Sequence, residues 1–172
     1  MSDITLRPLS LEDMEVIRNW RHQVMETLRT PYMLTAEQQA DYYIHTICDR
    51  RGTTRYWGFW ADKVEPMVLV GMGGIENIQW ENRTGEISVL ISSQERGKGY
   101  GRAAVDAILD QAFNHLNLET VYGECYKCSA AVPFWEKLVD ERSGYLTLLP
   151  MRKYWNGAYW DAIYFTFYKA KK

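Results

Sequence analysis

The sequence predicts a single α/β domain, a mixed sheet with helices on both faces, and three observations lead there. The 172 residues, 47% hydrophobic and 24% charged, are enough to bury one core of ordinary size. Apolar periodicity alternates between 2 and 3.6 residues along the chain, in the order β-α-α-β-β-β-α-β-α-β-β. No repeat, low-complexity run or Gly/Ser/Pro linker interrupts it, so residues 1–172 read as one unit.

Ile4 to Arg7 is a short strand. Ser10-Leu-Glu-Asp13 then resembles a capping box, and Met14, Ile17, Trp20 and Val24 recur at helical spacing, which predicts a helix over about 11–28. A second box at Thr35-Ala-Glu-Gln38 opens a helix whose stripe is Ala36, Ala40, Tyr43, Ile44 and Ile47, closed by Gly52. Strands follow at Arg55 to Ala61, Met67 to Gly74 and Thr84 to Ser92, with Asn82 supplying a turn. From Gly101, Val105, Ile108, Leu109, Ala112, Phe113 and Leu116 form a helical stripe about 16 residues long. A strand at 120–126, a helix at about 130–139 and two strands around Tyr145–Leu149 and Trp160–Tyr168 complete the set, with Asn156-Gly157 as a hairpin signal.

Composition narrows the function. A net charge of −2 gives no general attraction to nucleic acid or anionic membrane. The longest apolar stretch, Met67 to Gly74, is far below the ~18–20 residues that span a bilayer, and no secretory leader opens the chain, so the expected compartment is the cytoplasm. Three cysteines, Cys48, Cys125 and Cys128, make no disulfide framework. Cys125-Tyr-Lys-Cys128 invites a redox or zinc reading, but zinc needs two more ligands and only Cys48 remains, so no metal is expected. His22, His45 and His115 fall on helices and are read as ordinary helix residues rather than catalysts. Aromatics reach 14%, concentrated at 56–60 and 154–168, where some pack the core and others suit the wall of a pocket whose ring faces attract a cation.

The most informative segment is Ser93-Gln-Glu-Arg-Gly-Lys-Gly-Tyr-Gly101, between a strand and a helix. Three alternating glycines let the backbone approach a ligand, while the helix start aims unpaired N–H groups and a positive dipole end at it. Arg96, Lys98 and Arg102 add charge suited to a pyrophosphate. A Rossmann fingerprint fails because 102 is Arg, and a P-loop fails because 99 is Gly. The pattern Arg-x-x-Gly-x-Gly at Arg96, Gly99 and Gly101, with strand Glu86–Ser92 before it and Ala131-Val-Pro-Phe-Trp-Glu-Lys-Leu138 later, resembles the GNAT superfamily of acetyl-CoA-dependent N-acetyltransferases over nearly the whole chain.

That resemblance implies a central, mostly antiparallel sheet that splays at the cofactor site. The backbone of Arg96, Gly97, Lys98, Gly99, Tyr100, Gly101 and Arg102 would hold the CoA pyrophosphate. Val89 and Ile91 would pair with the pantetheine arm as an added strand, and Phe134 and Trp135 would flank the arm. Many members carry Asn at the end of the strand before the last helix and Tyr seven residues on; here Cys128 and Trp135 hold those places, so thiolate protonation would fall to another tyrosine such as Tyr126, or to water. The opening Leu6-Arg-Pro-Leu, Ile17-Arg-Asn-Trp-Arg21 and closing Asn156-Gly-x-Tyr-x-Asp161 look most like the branch that acetylates ribosomal-protein N-termini, amino sugars and other small amines.

Direct attack on a thioester needs a neutral amine. Freeing a lysine-like amine of pKa about 10.4 at pH 7 costs about 4–5 kcal/mol, so a base or water relay is required. Glu86, which begins the strand feeding the loop, is the first candidate, and Glu76, at the end of the strand expected beside it, is the second; Glu124 faces either the cleft or solvent. Arg18 and Arg21 share a helix face that would suit an acidic acceptor. The expected reaction is transfer from acetyl-CoA to a small-molecule amine or protein N-terminus in a ternary complex, by a monomer or homodimer. The reading of a different class is a non-catalytic acyl-CoA-binding or sensing module on the same scaffold.

Overall fold

The computed structural model describes residues 4–62 and 66–170. Seven strands form one sheet in the order β1-β2-β3-β4-β5-β7-β6, from β1 (Ile4–Arg7), β2 (Arg55–Ala61), β3 (Val68–Gln79), β4 (Thr84–Ile91), β5 (Thr120–Tyr126), β6 (Tyr145–Trp155) and β7 (Ala158–Tyr168). Every neighbouring pair is antiparallel except β4 and β5, which run parallel. The element order is the one the periodicity predicts.

The helices are α1 (Asp13–His22), α2 (Ala36–Tyr42, continued by one wider turn at Tyr43–Ile47), α3 (Tyr100–Asp110, likewise continued at Gln111–His115) and α4 (Val132–Glu141). Both expected boxes form. Thr35 Oγ1 accepts from the Gln38 amide at 3.2 Å while Gln38 Oε1 accepts from the Thr35 amide at 2.9 Å, and Ser10 and Asp13 exchange equivalent bonds of 3.3 and 2.7 Å.

Several expectations about extent need correction: β3 runs on to Gln79 rather than ending at Gly74, and the helix after Thr35 ends at Ile47 rather than reaching Gly52. The first helix stops at His22 rather than near 28, because Val24 takes φ −137° and a tight turn, Met25–Thr27, follows. Tertiary contacts hold that turn: the buried ammonium of Lys153 donates to the carbonyls of Met25 (3.4 Å) and Leu28, and the Cys128 thiol donates to the Glu26 carbonyl at 3.3 Å. The last two strands are longer than predicted, since β6 passes an irregularity between Leu149 and Lys153, with Met151 at φ 53°, and resumes to Trp155. Asn156 and Gly157, at φ 50° and 79°, make the hairpin turn.

The sheet buries different surfaces on its two faces. Phe59, Ile75, Ile87, Val121 and Phe165 pack with Val105 and Ile108 of α3 and Leu138 of α4. On the other face Met72 packs with Leu9, Met14 and Ile17 beneath α1 and α2, a smaller cluster. Strand alternation therefore sends Glu76, Glu86, Tyr122, Glu124 and Tyr126 to the α1–α2 face, opposite the large core.

Candidate active site

The central feature is an opening in the sheet. β4 and β5 pair at Thr84–Thr120, Gly85–Val121 and Glu86–Tyr122; beyond that point β5 continues with β7 while β4 runs on to Ile91 with no partner on the β5 side among the described residues. The backbone groups of 87–91 facing the wedge, those of Val89 and Ile91 included, are an unclaimed strand edge. A short turn, Ser93–Glu95, leads from this edge to the glycine loop.

In the loop Gly97 and Gly99 take φ 76° and 89°, left-handed conformations that a glycine adopts without penalty. Gly99 caps α3, whose first residues are Tyr100, Gly101 and Arg102. Their amides have no carbonyl one turn upstream and point out of the helix end. A Cβ built on Gly97 meets nothing within 4 Å, so the loop's outer side is open. Of the basic residues, Arg96 is exposed, Lys98 pairs with Glu95 at 2.9 Å, and Arg102 is drawn to Glu141 and to Asp106 (3.4 Å). The open loop, free amides and unpaired strand edge fit a phosphorylated ligand carrying an extended, amide-rich arm.

The expected arm-flanking residues divide. Phe134 lies 3.9 Å from where a Gly101 Cβ would be, at the loop. Trp135 is buried in the large core, stacked on Phe165 with ring centroids 4.5 Å apart, and so supports the wall from behind. Cys128 is half-buried with its thiol turned to Glu26, not left free. Burial raises the thiol pKa of Cys128, and that of Cys125 to about 11.

On the α1–α2 face beside the opening, three carboxylates from adjacent strands converge on one guanidinium. Arg29, from the loop after α1, bonds both oxygens of Glu86, with Nη1–Oε2 at 3.1 Å, and lies 3.7 Å from Glu76 and 3.9 Å from Glu124. Glu86 is only 6% exposed and also accepts from Asn77 Nδ2 at 2.9 Å. Asn77 occupies an irregularity in β3 at φ 52°. Glu76 Oε2 accepts from the Tyr56 hydroxyl at 2.7 Å, leaving Oε1, among the described residues, with the longer Arg29 contact. Glu124 faces inward and is gripped by Arg152 at 3.1 and 3.2 Å.

Tyr126 is buried, with the Lys153 ammonium 5.3 Å from its ring centre. Burial first, then Glu124, raises its pKa, so the phenol keeps its proton into alkaline solution. Tyr122 stacks on Tyr164 at 5.7 Å, and burial pushes Tyr42 to about 12 and Tyr56 well above its ordinary value. Burial also lowers the pKa of Lys153.

Arg29, Arg152, Lys153 and Tyr56 were not legible as site residues. Arg29 lies outside any periodic element and Lys153 beyond the predicted end of its strand. Tyr56 sat in the aromatic run at 56–60, with nothing to single it out.

A sheet opened beside a glycine loop that caps a helix, with acid–base side chains at the mouth of the opening, defines an acyl-CoA-dependent transferase. The family model of the acetyltransferase (GNAT) domain matches residues 3–131. The chain belongs to this family and is an acetyl-CoA-dependent N-acetyltransferase. It is 28% identical over 126 residues to the spermidine N(1)-acetyltransferase of Vibrio cholerae, covering 70% of this chain and 68% of that protein. Against the "Putative ribosomal N-acetyltransferase YdaF" of Bacillus subtilis it is 30% identical, covering 96% and 91%. Among solved structures, the Vibrio cholerae spermidine N-acetyltransferase in complex with CoA and spermine superposes with a TM-score of 0.80 at 23% identity, over 96% of this chain and 95% of that one. The same enzyme has also been solved as a dodecamer, with a TM-score of 0.80, 22% identity and coverage of 96% and 93%. Among the described residues no helix is long and apolar enough to cross a membrane.

Proposed function

We propose that the protein moves acetyl from acetyl-CoA to a primary amine by direct attack within a ternary complex. The acceptor classes are a small amine or amino sugar and a protein N-terminus, the range that the relatives' names also span. The acting unit is taken as a monomer or homodimer, which light scattering decides. The single observation that carries the reading is that the unclaimed β4 edge runs from the glycine loop straight to the carboxylates at Glu86 and Glu76.

Acetyl-CoA supplies the electrophile, a thioester carbonyl. The amides of 97–102 hold its pyrophosphate, the edge at Val89 and Ile91 pairs with its arm, and Phe134 flanks it. An incoming ammonium must give up a proton. Glu86 was the first candidate base, but both of its oxygens are engaged by Arg29 and Asn77, so it acts only if Arg29 moves. Glu76, whose Oε1 is less engaged, is better placed to accept the proton directly or through water. Tyr126, held protonated by burial, supplies the proton that the CoA thiolate takes up.

No enzyme nucleophile is needed, and the raised thiol pKa values of Cys125 and Cys128 suit bystanders. The test is thiol release from acetyl-CoA across a panel of amines. Release that depends on both substrates, with intersecting initial-velocity lines and no acetyl-enzyme on mass spectrometry, is expected. CoA binding without release for any amine in the panel would refute these acceptor classes.

A further inference from the structure

The carboxylates beside the opening already hold a cation, and it belongs to the chain itself. The side chains of Glu86 and Glu124 are 7% and 8% exposed, whereas that of Arg29, whose guanidinium they share with Glu76, is 51% exposed. The carboxylates are thus set in the sheet, and the cation reaches them from the solvent side. Stripped of it, they would face one another as like charges where water screens them poorly. A positive group is needed there whether or not an acceptor is bound.

The segment that carries Arg29 is pinned at its ends and loose between them. Lys153 holds the Leu28 carbonyl; at the other end the Leu34 amide donates to His22 Nε2 and the Leu34 carbonyl accepts from Arg18, both at 3.0 Å. Among the described residues 29–33 make no backbone–backbone hydrogen bond, and Arg29, Tyr32 and Met33 are exposed. Arg29 can therefore leave the carboxylates by turning its own long side chain, a rotamer change that asks nothing of α1, α2 or the sheet.

The charges say what takes its place. Glu76, Glu86 and Glu124 carry three negative charges against the two positive charges of Arg29 and Arg152. With Arg29 out, an ammonium restores the same balance, and a neutral or anionic group does not. In the reaction a C–N bond forms and the C–S bond breaks; of the two protons that the ammonium loses, one leaves with the base and the other ends on the CoA thiol. The product nitrogen is then a neutral amide, with no charge to hold the carboxylates against Arg29.

We propose that Arg29 is a displaceable internal cation: it fills the acceptor's ammonium position between turnovers, yields to an ammonium on the incoming acceptor, and returns once that nitrogen has become an amide, so that its return clears the product. This rests on the acetyltransferase reading and adds how the acceptor site is guarded and emptied. Arg29 is a specificity-determining residue that selects for positive charge at the nitrogen to be acetylated.

The test uses whichever of spermidine, glucosamine and glycinamide the full-length protein acetylates fastest, with Kd measured by calorimetry in the dead-end complex with CoA and KM in turnover. A site open only while Arg29 is out has its affinity lowered by the open fraction, so Arg29→Met should bind the amine about tenfold more tightly, with KM falling alongside. Methylguanidinium chloride, compared with equal sodium chloride, should compete with the amine in Arg29→Met at about a tenth of the concentration that wild type requires. A guanidinium that the reaction needs would behave in the opposite way: Arg29→Met would lose rate and methylguanidinium would restore it. That result overturns the proposal, as does amine affinity unchanged or weakened in Arg29→Met. If this variant does not fold, judged by circular dichroism, wild type decides alone: the Arg29 Nε–H resonance, identified by its absence in Arg29→Lys, should move as the amine saturates the CoA complex, and a resonance that stays fixed overturns the proposal. Acetylation of no amine overturns the broader reading together with the proposal, whereas acetylation with Arg29 still seated in the amine complex overturns the proposal alone.

Discussion

Gly97 offers the cleanest test of where the cofactor's phosphates lie. Its φ of 76° is left-handed, yet a Cβ there meets nothing within 4 Å, so a substitution costs backbone strain and no steric clash within the protein. Asparagine tolerates this conformation best among the other residues, and this chain already uses it so at Asn77, Asn117 and Asn156. Gly97→Asn should therefore cost about 1 kcal/mol or less, a fall in Tm of about 2–4 °C for a chain of this size. Gly97→Asp has the same shape and strain but adds a negative charge. At about 6 Å from a phosphate, with a dielectric between that of water and an effective value of ~20, the repulsion is about 1–2 kcal/mol, or roughly five- to thirtyfold in Kd. Calorimetric titration with CoA should show that ratio between Asp and Asn, narrowing as salt is raised. At a fixed excess of ligand, each tenfold loss of affinity should remove about 3–6 °C of the CoA-induced rise in Tm. Equal affinity of Gly97→Asp and Gly97→Asn would refute the placement of the pyrophosphate at this loop.

Further expectations concern the carboxylates, the tyrosine and the cysteines. Glu76→Gln should lower kcat by tenfold or more with the fall steepest at low pH, while Glu86→Gln should act mainly through Tm and KM because Arg29 loses its anchor; the reverse pattern in a pH–rate series would reinstate Glu86 as base. Since burial raises the Tyr126 pKa, and an acid must be protonated to act, activity should persist to a pH above the ordinary tyrosine range and fall as pH rises through the raised value; in Tyr126→Phe kcat drops and that alkaline limb disappears. A limb retained in the variant would acquit Tyr126. With its thiol raised from 9.0 to about 11, Cys125 presents roughly a hundredfold less thiolate than an ordinary cysteine at pH 8, so iodoacetamide should label exposed Cys48 first, read by peptide mass mapping. Replacing both Cys125 and Cys128 by Ser should leave turnover within about tenfold, and a larger loss would give one of them a role in the reaction.

Most of the fold was legible because the chain keeps a clear period in each element. The α3 stripe, the two capping boxes and the Asn156-Gly157 turn are local signals, and each forms as read. Misreadings arose where distant contacts decide. Val24 continues the α1 stripe in sequence, but the turn after it is held by Lys153 and Cys128, more than a hundred residues away. Pro150 and Met151 break the alternation of β6, while pairing with β7 carries the strand past them. Trp135, which the resemblance sets beside the cofactor arm, stacks its ring on Phe165 in the large core, a contact that local pattern does not show. For the site, the glycine loop was visible because its chemistry lies in nine consecutive residues. The carboxylate cluster was only half visible, since Glu76, Glu86 and Glu124 lie on known strands while the Arg29 that gathers them is placed by tertiary packing.

The short β4–β5 pairing also has a consequence for solubility. A strand with an open backbone edge is ordinarily a hazard, because it recruits edges from other molecules. At the sheet's two outer rims the exposure is blunted, at β1 by a length of four residues and at β6 by the break around Pro150 and Met151. The edge left open along 87–91 lies in the interior of the sheet order, closed at one end by the Thr84–Glu86 pairing and flanked by β5. A second copy of the chain cannot lay a strand along it without first prying β5 and β7 away, whereas a slender, flexible molecule enters from the open end. The protein can thus keep a sticky backbone permanently ready for its ligand and still resist joining edge to edge with its neighbours.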